Sequence, residues 1–373
     1  MKIRIIGLIA IVMLGIACKA PVSVVELTDG DLTTAYQGVK GKNEIRLDMT
    51  APLIVRNYRV YASGEDSRYD PGTWTFQGSQ DGSKWIDLDR RSEVEFSGRY
   101  QGNTYAVTAP QAYQYYRFTI ETTSGDSLRI AEIELEEKDH LADWAGFRYP
   151  EINFVNEAPE TEGSRFYDIL VQNPSDYIRA QALKVADILY FSASDSMPGV
   201  EKIDYTIKTF DGVSYKGGEP PVVHIVFSTK HVEKSFSESL YKLGYETVGV
   251  LAHELTHAYQ LEPRGCGSYS TNKTFWACIE GVADAVRTQA GYFDVDALRK
   301  PGGNWMDGYK TTGFFIQWLT TKDPDAIRKF NRTCRELPVW SFDGAIKAIF
   351  GEEHSIEGMW QEYQDFLTSA AEK

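Results

Sequence analysis

Basic charge, histidine and cysteine are all scarce in this chain, and each shortage narrows what it can be. Lys and Arg number 39 against 53 Asp and Glu, a formal net charge of −14, and no local run of basic residues stands out. Such a surface repels phosphate backbones and anionic headgroups, so nucleic acid is not expected as a partner. The apolar run at the start, Ile5 to Ile16, is shorter than the about 20 residues that a membrane-spanning helix needs. What is present is otherwise ordinary for a globular protein. At 373 residues with 42% hydrophobic content, the chain exceeds what one core usually organises, so two domains are expected.

The short apolar run follows Lys2 and Arg4 and ends in small residues before Cys18, the layout of an export signal. Leu14-Gly15-Ile16-Ala17-Cys18 resembles the lipobox of bacterial lipoproteins, with its leucine one place further from the cysteine than usual. The resemblance implies a signal peptide over residues 1–18 and lipidation at Cys18. The protein would then be exported and lipid-anchored to the bacterial outer membrane or cell surface, touching the membrane only through its anchor. Cys266, Cys278 and Cys334 would remain. An oxidising compartment permits one disulfide among them, and Cys266 with Cys278 is the nearest pair, leaving Cys334 free.

From Leu27 to Glu136, β-rich runs alternate with turn signals: 53–61, 73–78, 85–88, 105–108, 115–121 and 130–135, with a hairpin turn at Asp81-Gly82. Short strands at this spacing predict an all-β sandwich, bounded here at residues 22–137. Asp29-Gly30-Asp31 with Thr33-Thr34, the stretch from Trp74 to Trp85, Tyr115-Tyr116-Arg117-Phe118 and Ala131-Glu132-Ile133-Glu134-Leu135 follow one another in order. Together they resemble the discoidin-like family, the galactose-binding jelly roll of coagulation-factor C domains and many carbohydrate-binding modules. The resemblance implies an accessory domain that binds glycan or protein. It also implies a structural calcium joining the first loop to the last strand, for which Asp29, Asp31, Thr34 and Glu132 are the matching oxygen ligands. A capped turn beside a surface carboxylate is the alternative. Arg68, Tyr69 and Arg99 lie in loops that could meet a sugar, although exposed Tyr or Arg needs no ligand to explain it.

After the polar connector Glu137-Lys138-Asp139-His140, the pattern changes to helices mixed with a few strands, predicting an α+β domain over residues 145–373. The segment from Tyr245 to Gln260 reads as a helix with Val248, Leu251, Leu255 and Ala258 on its buried stripe. His253 and His257, two of only six histidines, stand one turn apart, so both imidazoles can grip one metal ion. Glu254 beside them can take a proton from a metal-activated water. A catalytic zinc needs a third protein ligand. Downstream, Ile279 to Arg287 is again amphipathic and places Glu280 and Asp284 on one face. This looks like the second helix of the thermolysin-like zincins, which implies Glu280 as third ligand and Asp284 as the acceptor orienting an imidazole. Asp284 as the ligand remains open, as does a pair of plain surface carboxylates.

Val222 to Ser228, Gly249 to His257, Ile279 to Asp284 with Ala290-Gly291-Tyr292, and Trp305 to Thr312 occur in order. Together they are similar to the plant basic secretory protein family of metallopeptidases. The interval holding Cys266 and Cys278 is longer than in plant members. Val222 to Ser228 reads as a strand; by likeness to zincins it would be the edge strand that holds an extended peptide, or it is simply core sheet, which its apolar content alone explains. Tyr309 matches a family tyrosine and could donate to the developing oxyanion, or simply pack, as most of the 22 tyrosines must. The expected function is zinc-dependent endopeptidase activity on extracellular proteins or glycoproteins, with Glu254 as general base. The rivals are a catalytically silent carbohydrate-binding surface lipoprotein on a zincin scaffold, and a metal-dependent glycan-processing enzyme.

Overall fold

The computed structural model describes residues 25–122, 127–293 and 295–371; the segment expected to be an export signal and the expected lipidation site Cys18 lie outside the described residues. The chain divides into two compact units, one reaching to Ala145 with Ile169–Asn173, the other formed by Gly146–Asp168 and the chain from Pro174 onward.

The first unit contains β1 (Tyr36–Gln37), β2 (Lys42–Ile54), β3 (Asn57–Tyr61), β4 (Pro71–Ser79), β5 (Ile86–Arg91), β6 (Gly102–Ala106), β7 (Ala112–Thr122), β8 (Arg129–Ile130), β9 (Glu132–Glu136) and the short helix α1 (His140–Trp144). Antiparallel sheets form in the orders β2-β7-β4-β5 and β6-β3-β9, with β1-β8 as a ribbon. Side chains alternate across a strand, so Ile45, Leu47 and Met49 of β2 and Tyr116, Phe118 and Ile120 of β7 turn inward. They meet Tyr58 and Val60 of β3 and Ile133 and Leu135 of β9 in one core, which makes this unit the expected β-sandwich. Residues 53–61, expected as one strand, divide between the two sheets. Asn57 and Arg59 are buried on the opposite face of β3, where Arg59 is satisfied by Glu134 at 3.2 Å and Glu136 at 3.5 Å. Lys42 to Met49 was not expected as a strand, although Asn43, Ile45, Leu47 and Met49 turn inward between charged outward residues.

Then follow β10 (Glu151–Asn156), α2 (Glu162–Leu170), α3 (Pro174–Leu189), β11 (Lys202–Lys208), β12 (Ser214–Glu219), β13 (Val222–Ser228), α4 (Thr229–Glu238), α5 (Leu240–Tyr259), α6 (Lys273–Gln289), α7 (Val295–Leu298), α8 (Tyr309–Trp318), α9 (Ala326–Glu336), α10 (Phe342–Phe350) and α11 (Ile356–Ala371). The sheet order is β10-β11-β13-β12, parallel except for β12. Val222–Ser228 is therefore not the edge strand: its apolar residues suit a strand paired on both sides, and β12 takes the edge instead. Lys216, Gly217 and Gly218 in β12 are tolerable at an edge and obscured the strand in the sequence. Among the described residues, no helix is long and apolar enough to cross a membrane.

The expected Cys266–Cys278 bond is corrected by the fold, in which Cys266, Cys278 and Cys334 all carry free thiols. Burial on α6 turns Cys278 toward α9, where its Sγ lies 3.8 Å from that of Cys334. Cys266, closer in sequence, sits in the preceding loop and donates to Pro263 O.

Candidate metal centre

Two capped helices bring the chemistry together. Ser239 caps α5 by accepting from Lys242 N at 2.9 Å, and Asn272 caps α6 by accepting from Thr274 N and Phe275 N. Val248, Leu251 and Leu255 of α5 and Val282, Ala283 and Val286 of α6 are buried, leaving one polar stripe of each helix for the cleft. Helix α8 packs closely on α6: a Cβ on Gly281 would meet Thr312 Cγ2 at 2.3 Å, and one on Gly313 would meet Asp284 Cβ at 2.6 Å. That approach sets Tyr309, the first residue of α8, beside His253, with the rings stacked at 6.1 Å between centroids and 12° between planes.

The convergence is tight. His253 Nε2 and His257 Nε2 are 3.0 Å apart, and Glu280 Oε2 lies 3.2 Å from the first and 3.7 Å from the second. Among the described residues, these three form the one set of His, Cys, Asp or Glu side chains whose donor atoms already converge closely enough to share a metal ion; the carboxylates of Asp29, Asp31 and Glu132 do not. A tetrahedral ion with bonds of about 2.0–2.1 Å spaces its ligand atoms about 3.3–3.4 Å apart, which the three distances bracket. Glu280 Oε2 is buried without a hydrogen-bond partner, whereas Oε1 accepts from Tyr269 Oη at 2.5 Å. A buried carboxylate oxygen left this way calls for a cation. Two imidazoles and one carboxylate are the donor set of a catalytic zinc site with an open position, so the residues fit zinc. Asp284 does not face the shared point. Its Oδ1 lies 2.7 Å from His253 Nδ1, where it orients the ring and fixes its tautomer.

Electrostatics follow from the crowding. Burial alone would depress His253, but Asp284, Glu280 and Glu254 push it up to about 10. Burial and then the neighbouring His253 charge hold His257 down to about 3, so the metal-free pair carries one added proton and one positive charge. A divalent ion at the shared point would take that proton's place. Glu254 stands outside the ligand cluster, buried, and burial raises its pKa. It accepts a hydrogen bond from Ser214 Oγ on β12 at 2.5 Å. A cleft of about 1100 Å³ opens over these groups, walled by Ser214, Tyr215 and Lys216 of β12 and by Tyr309.

Ser214, Tyr269 and Gln260 were not anticipated as parts of the site. Gln260, three residues after His257, carried a helical spacing that could have revealed it; Ser214 and Tyr269 lie in segments without a readable pattern.

In the sandwich, Gly30 N donates to Glu132 Oε2 at 3.2 Å, and Thr34 Oγ1 donates to Asp29 Oδ2 at 2.9 Å. Asp31 Oδ1 accepts from Thr33 N at 2.9 Å. Glu132 is buried, and burial, then Glu134 and Asp29, push its carboxyl up to about 9. Arg99 is a core residue, paired with Asp70 at 2.6 Å, which removes it from the sugar-facing candidates. Tyr69 lies between Arg68 and Arg129, whose guanidinium carbons are 5.0 Å and 5.6 Å from its ring centre.

No curated protein matches the chain. Solved structures similar to its N-terminal part include a family 32 carbohydrate-binding module from Streptococcus pneumoniae EndoD, at 12% identity, covering 33% of this chain and 91% of that one, with a TM-score of 0.29. An F5/8 type C domain of a Bacteroides fragilis protein is 18% identical over 31% of this chain and 79% of its own, with a TM-score of 0.28. Residues 150–363, more than half of the chain and the whole of the metal cluster, match the family model BSP, described as a peptidase of plants and bacteria. The chain therefore belongs to this peptidase family.

Proposed function

We propose that the protein is a zinc-dependent endopeptidase acting on extracellular proteins or glycoproteins. The observation that carries this reading is the meeting of His253, His257 and the unpartnered Glu280 Oε2 beside a separate buried carboxylate, Glu254. When bound, zinc supplies a Lewis acid that makes water nucleophilic near neutral pH and polarises the scissile carbonyl. Glu254 accepts a proton from the attacking water and passes it to the leaving amine. Ser214 holds the Glu254 carboxylate at the cleft edge of β12, along which an extended peptide can add main-chain hydrogen bonds. The zinc-loaded protein is expected to fragment casein and the polypeptide of mucin, to leave free oligosaccharides intact, and to fall silent on chelation. Cleavage of the oligosaccharides, or of nothing, contradicts the reading.

Tyr309 is proposed to donate its phenol to the developing oxyanion, a role supported by its ring standing against His253 at the cleft. It is about half exposed at the cleft mouth, and its φ of 41° fixes the turn from Gly308 that aims it there. Tyr309→Phe should lower kcat about 100-fold with little change in KM. An unchanged kcat returns this tyrosine to a packing role.

The sandwich is proposed as the glycan- or protein-binding accessory domain, with calcium at Asp29, Asp31, Thr34 and Glu132. The raised Glu132 pKa supports a cation there. Because the folded value lies above the ordinary carboxylate value of 4.5, ionising this group costs increasing stability as pH climbs from about 4.5 toward 9. A bound divalent cation would offset that cost. At pH 8, millimolar calcium should raise the sandwich's Tm by several degrees, and Glu132→Gln should remove the response. A Tm indifferent to calcium in the unaltered chain rules the site out. Export and a Cys18 anchor, proposed from the leader, would place the cleft among extracellular substrates.

A further inference from the structure

The second ligand imidazole has a neighbour with its own part in the centre. Gln260 is the residue at which the chain leaves α5, in extended conformation, with its N–H closing onto Thr256 O at 2.7 Å. Tyr190 Oη donates to Tyr259 O at 2.6 Å on one side, and Leu261 N donates to Asn331 Oδ1 at 2.8 Å on the other. The backbone is pinned on both flanks, and the residue is only 6% exposed, so the aim of its side chain is fixed. That side chain ends against His257: Nε2 lies 2.7 Å from Nδ1 of the ring. Its Oε1 is buried with no hydrogen-bond partner among the described residues.

This arrangement suits a metal-free imidazole and conflicts with a metal-bearing one. For His257 to offer the Nε2 lone pair to an ion, the ring proton of the neutral imidazole must sit on Nδ1. An amide NH₂ at 2.7 Å would then be a donor facing a donor. Turning the amide by half a revolution exchanges two groups of nearly equal size and places Oε1 where Nε2 stood. The idle acceptor thereby becomes the partner of Nδ1–H.

We propose that Gln260 is the positioning residue for His257, its side-chain carbonyl accepting Nδ1–H when the centre holds its metal. The proposal rests on the zinc reading above. It makes the two ligand imidazoles alike in design and unlike in charge: Asp284 holds His253 with a carboxylate, while Gln260 holds His257 with a neutral amide. A neutral orienter leaves less negative charge around the ion and so keeps it a stronger Lewis acid.

The test is zinc affinity of the full chain, measured by competition with a chromogenic chelator, with the metal-free Tm as the check on folding. Gln260→Leu keeps the shape but removes the acceptor, and should bind zinc about 10- to 100-fold more weakly. Gln260→Glu can only accept, and should stay within a few-fold of the unaltered chain or exceed it. A Leu variant that holds zinc as tightly as the unaltered chain overturns the proposal. So does a Glu variant as weak as the Leu variant, since the NH₂ would then be the group that matters. If the unaltered chain takes up no zinc, the reading of the centre itself fails, and this proposal falls with it.

Discussion

Glu254→Gln is expected to leave the fold and the zinc content unchanged while lowering kcat by about 1000-fold. The carboxylate is buried and separate from the ligand cluster, so no metal bond is lost with it. Glutamine keeps the volume and still offers an oxygen to Ser214 Oγ, so the contact to β12 survives. What disappears is the capacity to take a proton from water and return it to the amine. KM should change little, because the substituted group acts on the transition state more than on the bound peptide. A Glu254→Gln protein that still cleaves at an appreciable rate would remove the general base from the mechanism. A variant that loses its zinc would show instead that this carboxylate is a ligand, which its position beside Ser214 contradicts.

The second large effect belongs to Glu280. Glu280→Gln replaces an anionic ligand by a weakly donating amide while preserving an acceptor for Tyr269 Oη. Zinc affinity should fall by more than the roughly 100-fold typical of losing an outer contact, and peptidase activity should vanish at ordinary zinc concentrations. The metal-free protein should lose some stability as well, because the carboxylate pairs with the protonated His253, whose Nε2 lies 3.2 Å from Oε2. Unchanged zinc affinity would shift the third ligand elsewhere, with Asp284 the first residue to test. Asp284→Asn discriminates further, because an orienting acceptor that keeps its oxygen should retain more affinity than a lost ligand.

How much of this was legible beforehand depended on whether a residue's role had a periodic signature. His253, Glu254 and His257 share one helix, and Glu280 and Asp284 share another, so helical spacing alone placed each pair on a face. Meeting across α5 and α6 required the close approach at Gly249, where a Cβ would meet Arg287 Nε at 2.4 Å, which no local pattern encodes. Most of the sandwich strands were readable from their apolar runs, the first half of β2 excepted. β12 was not, because an edge strand bearing Gly217 and Gly218 lacks the apolar alternation that marks a strand, and the neighbouring β13 drew the peptide-binding role by likeness to zincins although its apolar content pointed to the sheet interior. Ser214 was lost with β12. Tyr269 acts from a loop, where position is set by the tertiary fold. The cysteines failed for a related reason: nearness in sequence suggested Cys266 with Cys278, while burial on α6 turned Cys278 toward Cys334.

The account stands on a single ion held where two imidazole nitrogens and one carboxylate oxygen meet. Native mass spectrometry of the unaltered chain, purified without chelators and then treated with one, measures this directly. The account predicts a mass excess of one zinc per chain that disappears with the chelator, together with peptidase activity. A chain that carries no transition metal, and gains none when zinc is supplied, would contradict it.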